Sequence, residues 1–296
     1  MTYPNPDPLV ETDWLEAHLE DPDVRVLEAT VFLRPPGPDA DRRSYIRESG
    51  RAQWLAEHIP GSAFADLIDD LSDPDASLPF MMPSAERFAA GMGALGVSNA
   101  TRVICYDRAA GMWAARLWWM LRAFGMEDAG VLNGGWQKWT AESRATSDLP
   151  PAYPPAEFAA HLQPELIADR AEVLAATQDG AACVVNALSA EQHAGTGSAP
   201  YGRPGRIAGS VNVPATSLVD PETHAFLPAG ELRQRFSAAG ALDGGRVITY
   251  CGGGIAAASD ALALTLLGAA NVALYDASLS EWARDPSLPM ERDGGR

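Results

Sequence analysis

One half of this 296-residue chain repeats the other, and a duplication constrains the architecture more than any single motif. Residues 102–106, RVICY, run into Asp107, and residues 246–250, RVITY, run into Cys251, 144 positions later. Both runs are short, β-branched and aromatic, and both are expected to be buried strands. Each follows a helix-like segment that ends near glycine, SAERFAAGMGALG (84–96) and AGELRQRFSAAG (229–240). Downstream, MWAARLWWMLRAFG (112–125) parallels IAAASDALALTLLG (255–268), and VLNGGWQKW parallels ALYDASLSEW. The two long segments are apolar almost all round, which fits helices packed on a sheet, and both end in glycine, a common residue just past a helix C-terminus. Upstream, HIPGSAFAD (58–66) parallels RIAGSVNVP (206–214), and VRVLEA (24–29) parallels ACVVNA (182–187).

Each half therefore reads as four strand–helix pairs. Apolar strands alternating with helices predict an α/β fold, a mainly parallel sheet with helices on both faces. The boundaries expected are 1–142 for the first domain and 164–296 for the second. Residues 143–163 between them, rich in proline, read as a linker that wraps rather than folds. Ligands in such sheets bind at the carboxyl ends of strands and between domains.

Composition narrows the function. Nearly half the residues are apolar, enough for a core, and no apolar run approaches the ~20 residues that span a bilayer. The N-terminus has neither the basic segment nor the apolar stretch of a signal peptide. A formal charge of −17 makes nucleic acid and anionic membranes poor partners. Lys138 is the sole lysine, which argues against lysine-based covalent catalysis. Three cysteines without paired spacing do not form a disulfide framework, so a reducing, cytoplasmic setting is expected. The five histidines are scattered, and no metal or organic cofactor is expected. GMGALG (91–96) fits a dinucleotide fingerprint but precedes a strand instead of following one, and is set aside. Trp118 and Trp119 are expected in helix core or domain packing, and Asp276 as a brace for the last helix.

The halves differ where Asp107 faces Cys251. Cys251 is followed by Gly252, Gly253, Gly254, Ile255 and Ala256, which predicts a strand, a tight glycine loop and a helix N-terminus. Glycines let backbone N–H groups converge, and such a nest with a helix dipole behind it stabilises an anion. A cysteine held there should be largely thiolate and nucleophilic. A small buried hydrophobe on a plain turn is the structural alternative for Cys251, and the core is the reading for Cys105 and Cys183.

These residues resemble those of the two-domain rhodanese-like sulfurtransferases, the group of thiosulfate and 3-mercaptopyruvate sulfurtransferases. HIPGSAFAD, LSDPDASLPFMMP (71–83), AARLWWMLRAFG, YCGGGIAA and LYDASLSEW carry the resemblance, which runs from about residue 10 to 290. It implies two tandem rhodanese-like domains, the first inactive with Asp107 at the cysteine position. It implies that Cys251 takes a sulfane sulfur from a small anionic donor as a persulfide and passes it to a thiol or cyanide. The loop from Gly252 to Ala256 would bind the anionic sulfur.

Two departures bear on the donor. Mercaptopyruvate enzymes usually read Cys-Gly-Ser-Gly-Val-Thr-Ala; here Gly253 and Ala256 remove both hydroxyls, although the glycine spacing still leans to that side. Thiosulfate enzymes carry basic side chains in the loop, and this loop has none. Leu188 stands where relatives have an arginine that binds the donor. Arg203 and Arg206 are the nearest remaining cations in sequence, so one of them is expected to hold the donor's anionic group, against the alternative of a surface arginine. His58 is weighed between the interdomain cleft and a turn-fixing hydrogen bond. Phosphatase-type loops place an arginine six residues after the cysteine, where this chain has Ala257. The remaining alternative is a non-catalytic persulfide carrier or a regulatory binding module.

Overall fold

The computed structural model describes residues 2–34 and 45–294. Two five-stranded sheets lie in it, and every strand pairing within them is parallel. The first runs, edge to edge, Leu9–Val10, Ala129–Leu132, Arg102–Tyr106, Val24–Glu28 and Ala63–Phe64. The second runs Ile167–Ala168, Val272–Tyr275, Arg246–Tyr250, Ala182–Asn186 and Val211–Asn212. The order is the same in both, as the repeat requires. Each sheet has one strand more than the expected four. The additions, Leu9–Val10 and Ile167–Ala168, are two-residue edge strands, too short for periodicity to mark.

The apolar strands form parallel sheets because both of their faces are covered. The central strands end at the same height, with Asp107 and Cys251 next in the chain. The segment 148–163 carries no helix or strand and follows the first domain's surface: Ala156, His161 and Gln163 donate backbone bonds to Gly93, Phe124 and Ala123.

The helices that follow the two central strands, Met112–Ala123 and Ala256–Leu266, pack on each other and join the domains. The first is built of large residues, Trp113, Leu117, Trp118 and Leu121; the second is small where it starts, Ala256, Ala257, Ala258 and Ala261. Trp113 and Trp118 are fully buried in an apolar cluster continuous across both domains, and Trp119 is nearly so. Large residues facing small ones let two helices interdigitate at interior density.

Within this interface sits Arg116, 1 % exposed. Its Nη1 donates to Asp276 Oδ1 at 2.5 Å, and its Nη2 to the Phe80 carbonyl at 2.6 Å. Asp276 Oδ2 accepts from the Met82 backbone N–H at 2.9 Å. Asp276 therefore does not brace the last helix, which has no side-chain cap; it ties the second domain to the 71–83 segment of the first. The repeat supplies a counterpart, since Asn133 Oδ1 accepts from the Phe226 N–H at 2.8 Å, from the second domain to the first. Even the backbone agrees, with Phe80 at φ 61° and His224 at φ 58°.

Arg116 and Asp260 occupy matching helix positions, but Asp260 is fully buried with neither carboxyl oxygen hydrogen-bonded among the described residues. Burial raises its pKa well above the usual 3.8, so it is neutral in the fold.

Two outcomes are expected. Arg116→Leu strands the Asp276 carboxylate and should cost roughly 3–5 kcal/mol in urea unfolding, whereas Arg116→Leu with Asp276→Leu should cost less than the single change. Asp260 ionises in the unfolded chain above pH 3.8 but stays protonated in the fold, so the fold holds more protons. Stability should therefore fall as pH rises above that value, and Asp260→Leu should flatten this decline in pH-dependent unfolding curves.

Candidate active site

Cys251 leaves the central strand Arg246–Tyr250 as the chain turns through Gly252, Gly253 and Gly254 into the helix Ala256–Leu266. The loop's carbonyls are tied outward. Cys251 O accepts from Leu279 N at 3.2 Å, and Gly252 O from Ser280 N at 2.9 Å and Ser280 Oγ at 2.7 Å. The Cys251 N–H donates to Ser278 Oγ at 3.0 Å. A trans peptide points its N–H opposite to its C=O, so these bonds turn the amides of Gly252 and Gly253 to the inner side of the loop. Among the described residues, the N–H groups from Gly252 to Ala257 meet no acceptor. Gly254 has φ +78°, and a Cβ there would lie 2.7 Å from Asp276 Oδ1 and 2.9 Å from Arg116 Nη1. The interdomain ion pair thus lies directly behind the loop.

The other half of the repeat shows what such a loop holds. In the first domain Asp107, fully buried, turns its carboxylate into its own loop. Oδ1 accepts from the N–H groups of Ala109 at 2.6 Å and Gly111 at 2.9 Å; Oδ2 accepts from Trp113 at 2.7 Å and Ala114 at 2.8 Å. Trp136 N donates to Asp107 O, as Leu279 N does to Cys251 O. The first loop is an anion site filled by its own side chain. The second offers the same inward amides around a sulfur atom.

Cys251 is 3 % exposed and lies on the wall of a cleft of about 420 Å³ between the domains. The first domain contributes Leu33, Tyr45, Arg47, Ser77, Pro79, Phe80 and Met112. The second contributes Leu188, Pro200, Tyr201, Gly253, Ile255, Ala256, Ser280 and Arg284. Tyr201 lies against the loop, so that a Cβ on Gly252 would be 1.9 Å from its Cζ. Burial and the neighbouring Cys251 raise the Tyr201 phenol's pKa, so it stays protonated.

Comparison with known proteins agrees with this geometry. Residues 11–142 and 170–285 match the family described as Rhodanese-like domain. The chain belongs to the rhodanese-like family. It is 35% identical over 284 residues to 3-mercaptopyruvate sulfurtransferase from Escherichia coli, covering 95% of this chain and 97% of that protein. It is also 35% identical over 308 residues to the mitochondrial thiosulfate/3-mercaptopyruvate sulfurtransferase 1 of Arabidopsis thaliana, covering 96% and 78%. The crystal structure of SseA from Escherichia coli superposes with a TM-score of 0.79 at 33% identity, over 94% of this chain and 99% of that one.

Of the residues singled out in the sequence, Cys251, Gly253, Ile255 and Ala256 line the cleft of this rhodanese-like chain, with Gly252 and Gly254 in the same loop. Leu188 also lines it. Arg203 and Arg206 do not. The Arg203 guanidinium donates to the carbonyls of Trp282, Ala283, Asp285 and Leu288, and fastens the last turns of the chain. Arg206 pairs with Asp293 at 2.8 Å and Glu291 at 3.5 Å. Their donors are spent on the C-terminal segment, so neither is placed to hold a donor. His58 is fully buried away from the cleft; its Nδ1 is 2.6 Å from Trp54 O and its Nε2 3.2 Å from Leu149 O, while its ring stacks on Trp54. It ties its own turn to the linker segment at Ser147 and Leu149. Cys105 is fully buried and Cys183 half-buried; burial pushes both thiols up. Sequence reading missed Tyr201, two residues before Arg203, together with Arg47 and Arg284.

The contact between Gly252 and Tyr201 is testable. Gly252→Ala must displace the phenol ring and should destabilise the protein by about 1–3 kcal/mol, the usual cost of overpacking. In a Tyr201→Ala background the same change should cost far less, as measured by a double-mutant cycle of unfolding free energies.

Proposed function

We propose that this protein is a sulfurtransferase in which Cys251 carries the sulfur as a persulfide, and that its donor is 3-mercaptopyruvate or thiosulfate. The supporting observation is the pair of matching loops: inward amides grip a carboxylate in one domain and surround Cys251 in the other. Backbone donors fixed before the reaction stabilise negative charge as it develops on sulfur, without reorganisation. The helix dipole of Ala256–Leu266 adds to the same effect.

The Cys251 thiolate attacks the donor's outer sulfur. With thiosulfate the S–S bond breaks and its electron pair leaves on sulfite. With 3-mercaptopyruvate the C–S bond breaks, the pair passes to carbon, and protonation gives pyruvate. The acceptor, a thiol or cyanide, then attacks the outer sulfur of the persulfide, and the pair of the broken S–S bond returns to Cys251. Neither half-reaction consumes a cofactor or metal. The amides from Gly252 to Ala256 serve the thiolate, the persulfide and the leaving group in turn. The free thiols suit a reducing compartment, and we place the protein in the cytoplasm.

Thiocyanate formation from cyanide tests the reading, run in parallel with each donor. Turnover with at least one donor is expected, at a rate reduced to background in Cys251→Ser. A wild-type protein that takes up sulfur but turns over with neither donor is a persulfide carrier or regulatory module instead.

A further inference from the structure

A protein of net charge −17 lines its reactive cleft with two arginines and, among the described residues, with no carboxylate. The two guanidinium groups come from different domains. Arg47 lies on the strand Ile46–Ser49, opposite Leu33 in an antiparallel pair, and its guanidinium carbon is 5.8 Å from the centroid of Phe80. Phe80 is itself held, by Trp113 at a ring distance of 5.1 Å and by Arg116 on its carbonyl. Arg284 follows the helix Ser278–Trp282, two residues beyond its end. Among the described residues neither guanidinium makes an ion pair, unlike Arg203 and Arg206, whose donors are already spent. Around the cysteine the wall is largely apolar, with Leu188, Met112 and Ile255 beside Phe80.

Resting on the sulfurtransferase reading, we propose that Arg47 and Arg284 form a split subsite, one arginine from each domain, which recognises the carboxylate of an organic sulfur donor. The chemistry follows from the lining. An apolar wall accepts a carbon body and penalises a compact, fully hydrated dianion such as thiosulfate. A guanidinium offers paired donors that match a carboxylate. Two of them in a field otherwise dominated by negative charge make this cleft the place where an organic anion is retained. The donor class is therefore a thiol-bearing carboxylate, of which 3-mercaptopyruvate is the probe. The subsite exists only when the domains are packed together, because half of it belongs to each.

The test is steady-state kinetics with 3-mercaptopyruvate and with thiosulfate for the wild type, Arg47→Gln, Arg284→Gln, the double variant and the corresponding lysine variants. Loading of sulfur on Cys251 is followed by intact mass. Each glutamine variant should raise KM for 3-mercaptopyruvate about tenfold, the scale of one charge-assisted hydrogen bond, with kcat within about twofold. Lysine, which restores the charge without the paired donors, should recover part of the loss. Added salt should raise the wild-type KM and leave that of the double variant nearly unchanged. Thiosulfate should be the poorer donor throughout. A double variant that loads sulfur with an unchanged KM for 3-mercaptopyruvate overturns the subsite and leaves the sulfurtransferase reading standing, as does a fall in kcat alone. A wild-type protein that acquires no sulfur from either donor overturns both.

Discussion

The buried pair of Arg116 and Asp276 is the contact on which the site depends. Two charges in an apolar interface lose their hydration, and only close mutual attraction and further hydrogen bonds offset that loss. Here the partners are 2.5 Å apart, and each has a second bond, Arg116 to the Phe80 carbonyl and Asp276 to the Met82 amide. The pair fixes three things at once: the packing of the two helices, the 71–83 segment that walls the cleft, and the back of the cysteine loop, where Gly254 has no room for a side chain. A hydrophobic pair of equal volume could hold the helices. It would not set the direction of the Phe80 carbonyl, and so would not seat the Phe80 ring under Arg47.

Duplication followed by divergence explains most of the remaining geometry. Tyr106 and Tyr250 do the same work in the two halves, each hydroxyl taking a backbone N–H, from Ile59 and Ile207, and meeting a serine, Ser62 and Ser210. The turn segments that cross between domains are matched as well. The departures that bear on the site lie near the interface: Asp107 against Cys251, Arg116 against Asp260, Phe80 against His224. A domain with Asp107 where its neighbour has Cys251 fills its own loop, yet it still provides Phe80, Met112 and Arg47 to the cleft.

The repeat, the parallel sheets and the cysteine loop were legible in the sequence because each leaves a local trace: β-branched runs, glycine punctuation and a nucleophile at a strand end. The donor's cationic partners were not. Arg203 and Arg206 follow Leu188 by 15 and 18 residues, but proximity along the chain does not set where a long side chain spends its donors, and both turn to the C-terminal segment. Arg47 is some 200 residues from Cys251 and enters the cleft only through the domain packing. Arg116 is one of two arginines on an otherwise apolar helix, and its partner lies 160 residues away. Tyr201 carries no motif; its role follows from a glycine too small to push it aside. His58 sits in a motif that suggested the cleft, but its two ring nitrogens face carbonyls of the preceding helix and of the linker.

The two loops also differ in thermodynamic bookkeeping. The first carries its anion covalently, as the Asp107 carboxylate, at an effective concentration that no change in the cell can alter. The second must borrow its anion from solution. Inward-facing amides without an acceptor are a standing cost, relieved only when a ligand or a sulfur-bearing cysteine supplies negative charge. Binding of an anion at the second loop therefore adds stability that the first loop already holds through Asp107. The loop that receives sulfur is thus the part of the structure that gains most from being loaded.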